Sequence, residues 1–353
     1  MKIKIQTKLP LNITEKEQFL FLSKETYWNK ELKIKKLKNV FITHWGLIVQ
    51  KLFLPLKSAE NLIGRYDETF YKRHWRVAIE QFLVSKFGKS LPSEIFNDGE
   101  YFTIHTPWFG YFSWLTTYLP RLIEIHAKYP KAILLIPEEW DTISYVKDSL
   151  LLFPDLKKKC VKADHHMFVK HFVFAQVRPW TSQFYPEHLE QVRNLFIPTI
   201  ENKTQNSKPI SRVYVSRKKA NRRKISNEEE IEQLLVKYGF QSICFEDYSI
   251  NEQVELMQNA DILISMHGAG LTNTLFMKPG SVLFELTPIV EEQKQFRFPF
   301  WRMSSLLNIK YYVQFCKTIN QGETDFYSRN LKVDIIDFKS NIEKIIYENF
   351  RDV

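Results

Sequence analysis

Two kinds of feature are missing from this chain, and each absence excludes a class of protein. The three cysteines lie far apart, at positions 160, 244 and 316, with no CxxC or Cys/His zinc spacing. They are therefore expected to be reduced core residues rather than disulfides or metal ligands. No apolar run approaches the roughly 18 residues of a membrane span, and the N-terminus lacks a signal peptide's apolar core. We expect a cytoplasmic protein, with peripheral contact at the inner face of the cell membrane left open.

Basic residues outnumber acidic ones, which gives a formal net charge of +10 at pH 7. Much of the excess lies in residues 24–38, with six lysines, and in residues 212–224, with seven basic residues. Such charge favours anionic partners: a nucleotide diphosphate, an acidic lipid surface or nucleic acid. The first stretch also contains apolar residues, so it is either an amphipathic patch for a membrane surface or a solvated face beside the core.

Residues 261–273 form the most informative stretch. A buried strand pattern runs to His267, Gly268 and Gly270 follow, and a helix is predicted over 271–277. Because glycine has no Cβ, this turn can approach a ligand closely. The N–H groups and the positive dipole end of a helix start attract anions such as a diphosphate or a sugar carboxylate. His267 would stand at the carboxyl end of its strand, where open α/β sheets bind ligands.

A second strand pattern, over 212–216, ends at Arg217. A planar guanidinium suits bidentate recognition of phosphate, and this strand-end position matches that of His267. The basic residues that follow, 218–224, are either a solvated loop or further ligand contacts. Next, a helix is predicted over 227–238, with Asn227 as its N-cap and Gly239 as its terminator.

Strand and helix patterns alternate along the whole chain, without internal repeats. In the N-terminal half we predict strands at 131–137 and 169–177, and helices at 71–87, after Trp114, and at 138–152. A polar linker spans 201–209. The remaining predicted strands are 212–216, 241–245, 261–265 and 281–286, and the remaining helices are 227–238, 250–259, 271–277 and 337–350. A capping box, Ser249 with Glu252, starts the helix at 250–259. Short connections between these elements require a parallel sheet.

Several short segments occur together in an order and at a spacing that are typical of one enzyme family. They are Tyr214-Val-Ser216-Arg217, Arg222-Arg223, Asn227-Glu228, the run 267–273, Pro279-Gly280, Glu285 and an N-terminal segment at 111–122. On these residues the chain resembles the glycosyltransferases of family 61, over residues 101–287. The match is strong in the C-terminal half and thinner before it.

The resemblance implies an α/β protein of GT-B type: two Rossmann-like lobes with the active-site cleft between them. We expect an N-terminal, acceptor-side lobe over 1–205, a C-terminal lobe that binds the nucleotide-sugar over 206–330, and a C-terminal helix in 331–353 that crosses back to the first lobe. The resemblance also implies that sugar transfer inverts the configuration at the anomeric carbon. The expected function is transfer of a sugar from a nucleotide-sugar donor to a glycan or lipid-linked saccharide, in surface polysaccharide or lipopolysaccharide biosynthesis.

No cofactor is expected besides the donor, for which a UDP-sugar is the first choice. The sequence contains no DxD motif, the acidic pair that holds a metal in GT-A enzymes, so a metal-independent site is expected. A helix start and cationic side chains would neutralise the diphosphate instead. The expected donor-binding residues are Arg217, Arg222, His267, Gly268, Ala269, Gly270, Leu271, Thr272, Asn273 and Glu285. Glu285 would hold the ribose diol, while Thr272 and Asn273 either contact phosphate or cap the helix.

The N-terminal segment departs from the family pattern. The family usually carries a histidine before the tryptophan and an acidic residue four positions on, where this chain has Ser113 and Thr117. Neither is an ordinary general base near neutral pH. His105 and Glu124 are therefore our candidate catalytic residues, with His44 and Asp164 as alternatives. Four aromatic residues could form a wall against an acceptor sugar or belong to the core: Trp108, Phe109, Trp114 and Trp180.

Two other classes of function remain open. The chain could be a basic nucleic-acid-binding protein that uses residues 212–224, but no zinc-finger, RNP-like or helix-turn-helix signature supports that reading, and no nucleic-acid partner is expected. It could also be an inactive transferase fold retained for assembly, as Ser113 and Thr117 suggest. Transfer by the purified protein distinguishes this last reading from an enzyme.

Overall fold

The computed structural model describes residues 2–22, 25–30, 33–42, 46, 48–50, 54–55, 94–106, 109–163, 167–175, 183–201, 209–288, 299–319 and 329–350. The predicted helix at 71–87, most of the linker at 201–209, and four candidate site residues lie outside these residues. The four are His44, Trp108, Asp164 and Trp180. The chain divides into two compact units. Unit 1 contains residues 1–2 and 30–192, and unit 2 contains residues 3–29 and 193–353.

The longer helices are labelled in chain order. They are α1 (Glu15–Leu22), α2 (Leu119–Lys128), α3 (Ser144–Leu151), α4 (Pro186–Glu201), α5 (Glu228–Val236), α6 (Ile250–Asn259), α7 (Pro299–Leu306) and α8 (Ile335–Asn349). Shorter helical segments are the α-helical turns Tyr111–Ser113 and Pro154–Lys157, the π-helical turn Trp114–Tyr118, and the 3-10 segments Glu138–Thr142, Phe245–Asp247 and Ala269–Phe276.

The strands are also labelled in chain order. They are β1 (Lys2–Gln6), β2 (Thr26–Lys30), β3 (Ile34–Ile42), β4 (Ile48–Gln50), β5 (Leu54–Pro55), β6 (Glu94–Phe96), β7 (Tyr101–Phe102), β8 (Ile133–Ile136), β9 (Cys160–Lys162), β10 (Met167–Ala175), β11 (Arg212–Val215), β12 (Gln241–Ile243), β13 (Ile262–Met266), β14 (Val282–Pro288), β15 (Lys310–Ile319) and β16 (Asn330–Lys332). The protein is therefore a mixed α/β molecule.

Unit 1 is built on a sheet with the strand order β5-β4-β3-β10-β7-β8-β9, and β6 also pairs with β10. Strands β10, β7, β8 and β9 run parallel to one another, whereas β3, β4 and β5 form an antiparallel extension that begins beside β10. Within the basic stretch 24–38, residues 26–30 form β2 and residues 34–38 lie in β3, where Lys35, Lys36 and Lys38 are exposed and Ile34 and Leu37 are half-buried.

The fully buried Arg121 ties two strand ends of unit 1 together. Its guanidinium donates to the carbonyls of Ile104 at 2.5 Å, Thr103 at 3.4 Å and Ala175 at 3.0 Å. These carbonyls lie just beyond β7 and at the end of β10, neighbouring strands of the sheet. Burial lowers the pKa of Arg121 to about 10. Arg121, which belongs to the segment 111–122 of the family resemblance, therefore stabilises the fold of unit 1.

Unit 2 is built on a sheet with the strand order β12-β11-β13-β14-β15-β16, in which all neighbours except β15 and β16 are parallel. The parallel part follows the order 2-1-3-4-5 of doubly wound α/β sheets. This confirms the parallel sheet predicted for the C-terminal half. One face packs against α5 and α8, where Phe284 of β14 stacks on Phe338 of α8 at 5.7 Å.

Helix α8 packs within unit 2. Its buried side chains, Phe338, Ile342 and Ile345, join the core that contains Ile231 of α5. The family resemblance predicts a helix that crosses back to the first lobe, whereas the buried face of α8 packs on the sheet of unit 2. A further difference concerns the N-terminus, because residues 3–29 belong to unit 2, whereas the resemblance predicts a first lobe over 1–205.

The N-terminal residues of unit 2 pair with one side of β15. Leu11 N–H donates to the carbonyl of Tyr311 at 2.9 Å, and the Asn12 amide donates to the carbonyl of Val313 at 2.8 Å and accepts from Val313 N–H at 2.9 Å. Unpaired strand groups are costly when buried, so this pairing accounts for the position of residues 11–12.

Among the helices of the described residues, none has the length and the apolar composition that a membrane span requires.

Candidate active site

The two predicted strand ends lie side by side. Strands β11 and β13 are parallel neighbours, with Val215 opposite Ser265, so Arg217 and His267 both follow at the carboxyl edge of the sheet. Strand order also reverses here, since β12 lies beyond β11 while β14 and β15 lie beyond β13. Ligands of open α/β sheets bind outside the carboxyl ends of the strands at such a switch point. The sheet therefore brings Arg217 and His267 together where a nucleotide is ordinarily held.

Arg217 is held by the backbone of the basic loop that follows it. Its guanidinium donates to the carbonyls of Arg222 at 3.2 Å and Arg223 at 3.3 Å, and Arg223 adopts a left-handed backbone conformation with φ 60°. The side chain of Arg222 is exposed, and its contact with the donor stays a prediction. Burial lowers the pKa of the Arg217 guanidinium, and the carboxylate of Glu246 opposes that effect. Arginine nonetheless stays charged at neutral pH.

Glu228 fixes the backbone of the same loop. Its Oε1 accepts the backbone N–H of Arg217 at 2.8 Å and the hydroxyl of Tyr214 at 2.9 Å. Burial is the largest cause that raises the pKa of Tyr214 well above its usual value, followed by the charge of Glu228. The neighbouring Asn227 was predicted to cap α5, but its side chain makes no capping hydrogen bond. It bonds both backbone groups of Val333 instead, at 2.9 and 3.1 Å.

The glycine turn faces Arg217. Gly268 has an extended backbone, and a Cβ added to it would lie 3.9 Å from Nη1 of Arg217. A side chain there would therefore occupy the space in front of the guanidinium. At Gly270 an added Cβ would lie only 3.2 Å from the ring of Phe245, so that glycine is explained by packing. The segment that follows is a 3-10 helix over Ala269–Phe276, not the α-helix predicted over 271–277.

His267 belongs to a buried polar line that crosses three strands. Its Nδ1 is hydrogen-bonded to Oε1 of Glu285, and Oε2 of Glu285 accepts the hydroxyl of Tyr311 at 2.7 Å. His267 is 8% exposed, Glu285 2% and Tyr311 4%. The ring of His267 also packs edge-on against Phe300 of α7, at 5.3 Å between centroids. Both carboxylate oxygens of Glu285 are thus engaged inside the protein, and the ribose-binding role expected for this residue stays a prediction.

The next residues of the predicted site are interior ones. Leu271, Thr272 and Asn273 are fully buried, and the Asn273 amide donates to Oε1 of Gln253 on α6 at 2.7 Å. Asn273 therefore joins the 3-10 segment to α6 and does not cap the helix start, where Gly268 is the N-cap; its phosphate contact stays a prediction. Ala269 is half-buried and begins the 3-10 segment. The part of the predicted set that faces the switch point consists of Arg217 and residues 267–270.

Comparison with known proteins shows which family this arrangement resembles. The sequence profile described as Glycosyltransferase 61 matches residues 111–284, which include both strand ends and the glycine turn. Over these residues the chain is similar to the glycosyltransferases of family 61.

Two relatives illustrate the similarity. The chain is 37% identical over 75 residues to the EGF domain-specific O-linked N-acetylglucosamine transferase of Drosophila melanogaster. It is 45% identical over 47 residues to the protein O-linked-mannose beta-1,4-N-acetylglucosaminyltransferase 2 of Xenopus laevis. The first match covers 21% of this chain and 14% of the relative, and the second covers 13% and 8%. The chain thus spans only a small part of the length of either relative.

The candidate catalytic residues lie in unit 1. His105 is buried, with Nδ1 hydrogen-bonded to the hydroxyl of Thr103 and its ring edge-on to Trp140 at 5.7 Å. Glu124 is half-buried on α2, and its Oε1 accepts from the Gln191 amide at 2.8 Å. A general base needs reach to the proton that it removes. The catalytic role of either residue stays a prediction, which turnover of the His105→Gln and Glu124→Gln variants would test.

The aromatic residues of unit 1 divide between core and surface. Trp114 is fully buried, and its indole donates to the hydroxyl of Ser149 at 3.0 Å, so it is a core residue. Phe109 is 38% exposed, and its ring lies 4.9 Å from that of Trp140 and stacks on that of Tyr145 at 6.3 Å. Of the two described residues in the predicted aromatic wall, Phe109 is the one at the surface.

Sequence reasoning missed two residues of the site. Glu228 was assigned to the first turn of a helix, and Tyr311 lies on β15, a strand that was not predicted. A signal for Glu228 existed in the Asn227-Glu228 segment of the family resemblance.

Among the described residues, no group of three or more His, Cys, Asp or Glu side chains is arranged to hold a metal ion.

Proposed function

We propose that this chain transfers a sugar from a nucleotide-sugar donor to a saccharide acceptor. The observation that supports it best is the placement of Arg217 beside the 267–270 turn, at the switch point between β11 and β13. A cation and the backbone N–H groups of a turn can together neutralise a diphosphate leaving group. Stabilising charge that develops on the leaving group is the largest part of such catalysis.

Each residue of the site has a task in this proposal. Arg217 donates from Nη1 to a diphosphate oxygen, while Nε and Nη2 keep their bonds to the loop carbonyls. The lack of a side chain at Gly268 leaves room for that oxygen beside the guanidinium. Because Glu285 engages Nδ1 of His267, the imidazole presents Nε2 to the diphosphate or the donor sugar. An acceptor hydroxyl must also lose a proton, and His105 and Glu124 remain the proposed bases.

The names of the relatives suggest which donor to test first. Both are N-acetylglucosamine transferases by name, so UDP-N-acetylglucosamine is our first choice of donor. For the acceptor we propose a glycan or lipid-linked saccharide, in surface polysaccharide or lipopolysaccharide biosynthesis at the cytoplasmic face of a membrane. The GT-B architecture and inversion at the anomeric carbon belong to the same proposal.

A panel of nucleotide-sugars tests the donor. Thermal unfolding would be measured with UDP-, GDP-, dTDP- and CMP-sugars, since a ligand at about 100 times its Kd adds about 2.7 kcal/mol of stability. We expect stabilisation by the UDP-sugars, and release of UDP when a saccharide acceptor is added. Stabilisation by none of the four classes would contradict the proposal. Binding without release of the nucleotide in the presence of any acceptor would favour the inactive transferase fold, for which Ser113 and Thr117 are the motivation.

Binding of the donor is expected to survive chelation. Arg217 and the turn at 267–270 supply the charge that a metal supplies elsewhere, so excess EDTA should change the Kd of the nucleotide diphosphate by less than about twofold. The measurement is calorimetric titration of UDP with and without EDTA. If EDTA weakens binding by more than about tenfold, which is roughly 1.4 kcal/mol, a metal holds the phosphates.

A further inference from the structure

A buried line of hydrogen bonds joins His267 to Tyr311 through Glu285. Strands β13, β14 and β15 are parallel neighbours, and Ser265 lies opposite Glu285 while Leu283 lies opposite Tyr311. Side chains in register on parallel strands point to the same face of the sheet. His267, Glu285 and Tyr311 therefore share one face, opposite to the face that packs on α5 and α8.

We propose that Tyr311 is a positioning residue of the transferase, which acts on His267 through Glu285. An ionised carboxylate only accepts hydrogen bonds, so an ionised Glu285 requires Nδ1 of His267 to carry a proton. The Tyr311 hydroxyl donates to the other oxygen of Glu285 and so stabilises the ionised form. Tyr311 thereby fixes two properties of His267. One is the orientation of the ring, with Nε2 toward the ligand, and the other is the tautomer, with the proton on Nδ1.

Tyr311 is itself held firmly in place. Its backbone carbonyl accepts from Leu11 N–H, and the side chain of Asn12 bonds both backbone groups of Val313, two residues further along β15. These bonds secure the start of β15 on one side, while β14 secures it on the other. A residue that positions a second one through a hydrogen bond must be fixed at its own backbone, and this condition is met.

The neighbouring tyrosine provides a matched control. The hydroxyl of Tyr312 donates to Oε2 of Glu348 at 2.7 Å, on the face that packs against α8. Tyr311→Phe and Tyr312→Phe each remove one hydroxyl, with one hydrogen bond to a carboxylate, from adjacent positions of one strand. Only the first removes a bond on the side of His267.

The test has one measurement on the free protein and one on turnover. Nitrogen NMR of the His267 side chain reports how often Nδ1 lacks a proton, at about pH 9, above the range in which histidines ordinarily titrate. We expect Tyr311→Phe to raise that fraction about tenfold, because the buried carboxylate loses a donor and its protonated form can donate to Nδ1. Turnover should fall about tenfold with the KM for the donor within about twofold. Tyr312→Phe should leave all three quantities as in the wild type.

The inference rests on the proposed function only for its kinetic part. If the wild type transfers no sugar, the proposed function fails, and the NMR comparison still decides whether Tyr311 controls the tautomer of His267. An unchanged Nδ1 proton in Tyr311→Phe, or an equal change in Tyr312→Phe, would overturn the inference.

Discussion

Replacing Arg217 by alanine is expected to weaken binding of a nucleotide diphosphate by about 1.5–3 kcal/mol, one to two orders of magnitude in Kd. The guanidinium is half-buried beside Gly268, so a phosphate bond to it is charge-assisted and shielded from water. The melting temperature should change little, because the guanidinium bonds only carbonyls of an exposed loop. Calorimetric titration of UDP and thermal unfolding provide the two measurements.

Arg212→Ala is the control for that experiment. Arg212 begins β11, whose other end leads to Arg217, and it donates to the carbonyl of Tyr238 at 2.5 Å and lies over the ring of Phe350. Both variants remove one positive charge, so non-specific attraction of the anion falls equally. Arg212→Ala should therefore bind UDP within about twofold of the wild type. Equal loss in the two variants would show that net charge, and not the switch point, attracts the diphosphate.

The sequence predicted those elements of unit 2 whose signals are local. Helix α6 has the predicted bounds, because Ser249 and Glu252 form the capping box that starts it. Gly239 ends the helical region of α5 with φ 75°, a conformation that favours glycine. Strands β11 and β13 were predicted to within one residue at each end. Each of these features depends on residues within a few positions of one another.

Features that depend on distant residues were not predictable in this way. Asn227 has the residue type of an N-cap, yet its amide bonds Val333, which is 106 positions away. Residues 11 and 12 pair with β15, about 300 positions away, and no periodic pattern announces such a pairing. Tertiary contacts of this kind override local propensity.

The candidate site divides along the same line. Arg217 and His267 were predicted together because both end strands of a parallel sheet, and their proximity follows from topology. The contacts of Glu285 were not predictable, because its side chain is hydrogen-bonded to a histidine 18 positions earlier and a tyrosine 26 positions later. A strand-end carboxylate looks the same in sequence whether it contacts a ribose or a histidine.

Glu285→Gln is expected to lower turnover about 10²-fold while the protein stays folded. The amide fills the same space and can still bond His267 and Tyr311, so packing is preserved. What is lost is the negative charge that holds a proton on Nδ1 of His267 and so orients the imidazole. Steady-state kinetics with a UDP-sugar, together with thermal unfolding of the same samples, provide the measurement.

Glu348→Gln is the matched control for this variant. Glu348 also accepts a tyrosine hydroxyl, that of Tyr312 at 2.7 Å, but on the opposite face of the same sheet. Both variants exchange a carboxylate for an amide beside a tyrosine of β15, so any general effect of lost charge on the sheet appears in both. Turnover of Glu348→Gln should stay within about twofold of the wild type. If Glu285→Gln keeps more than about a third of wild-type turnover, the charge of Glu285 does not act through His267.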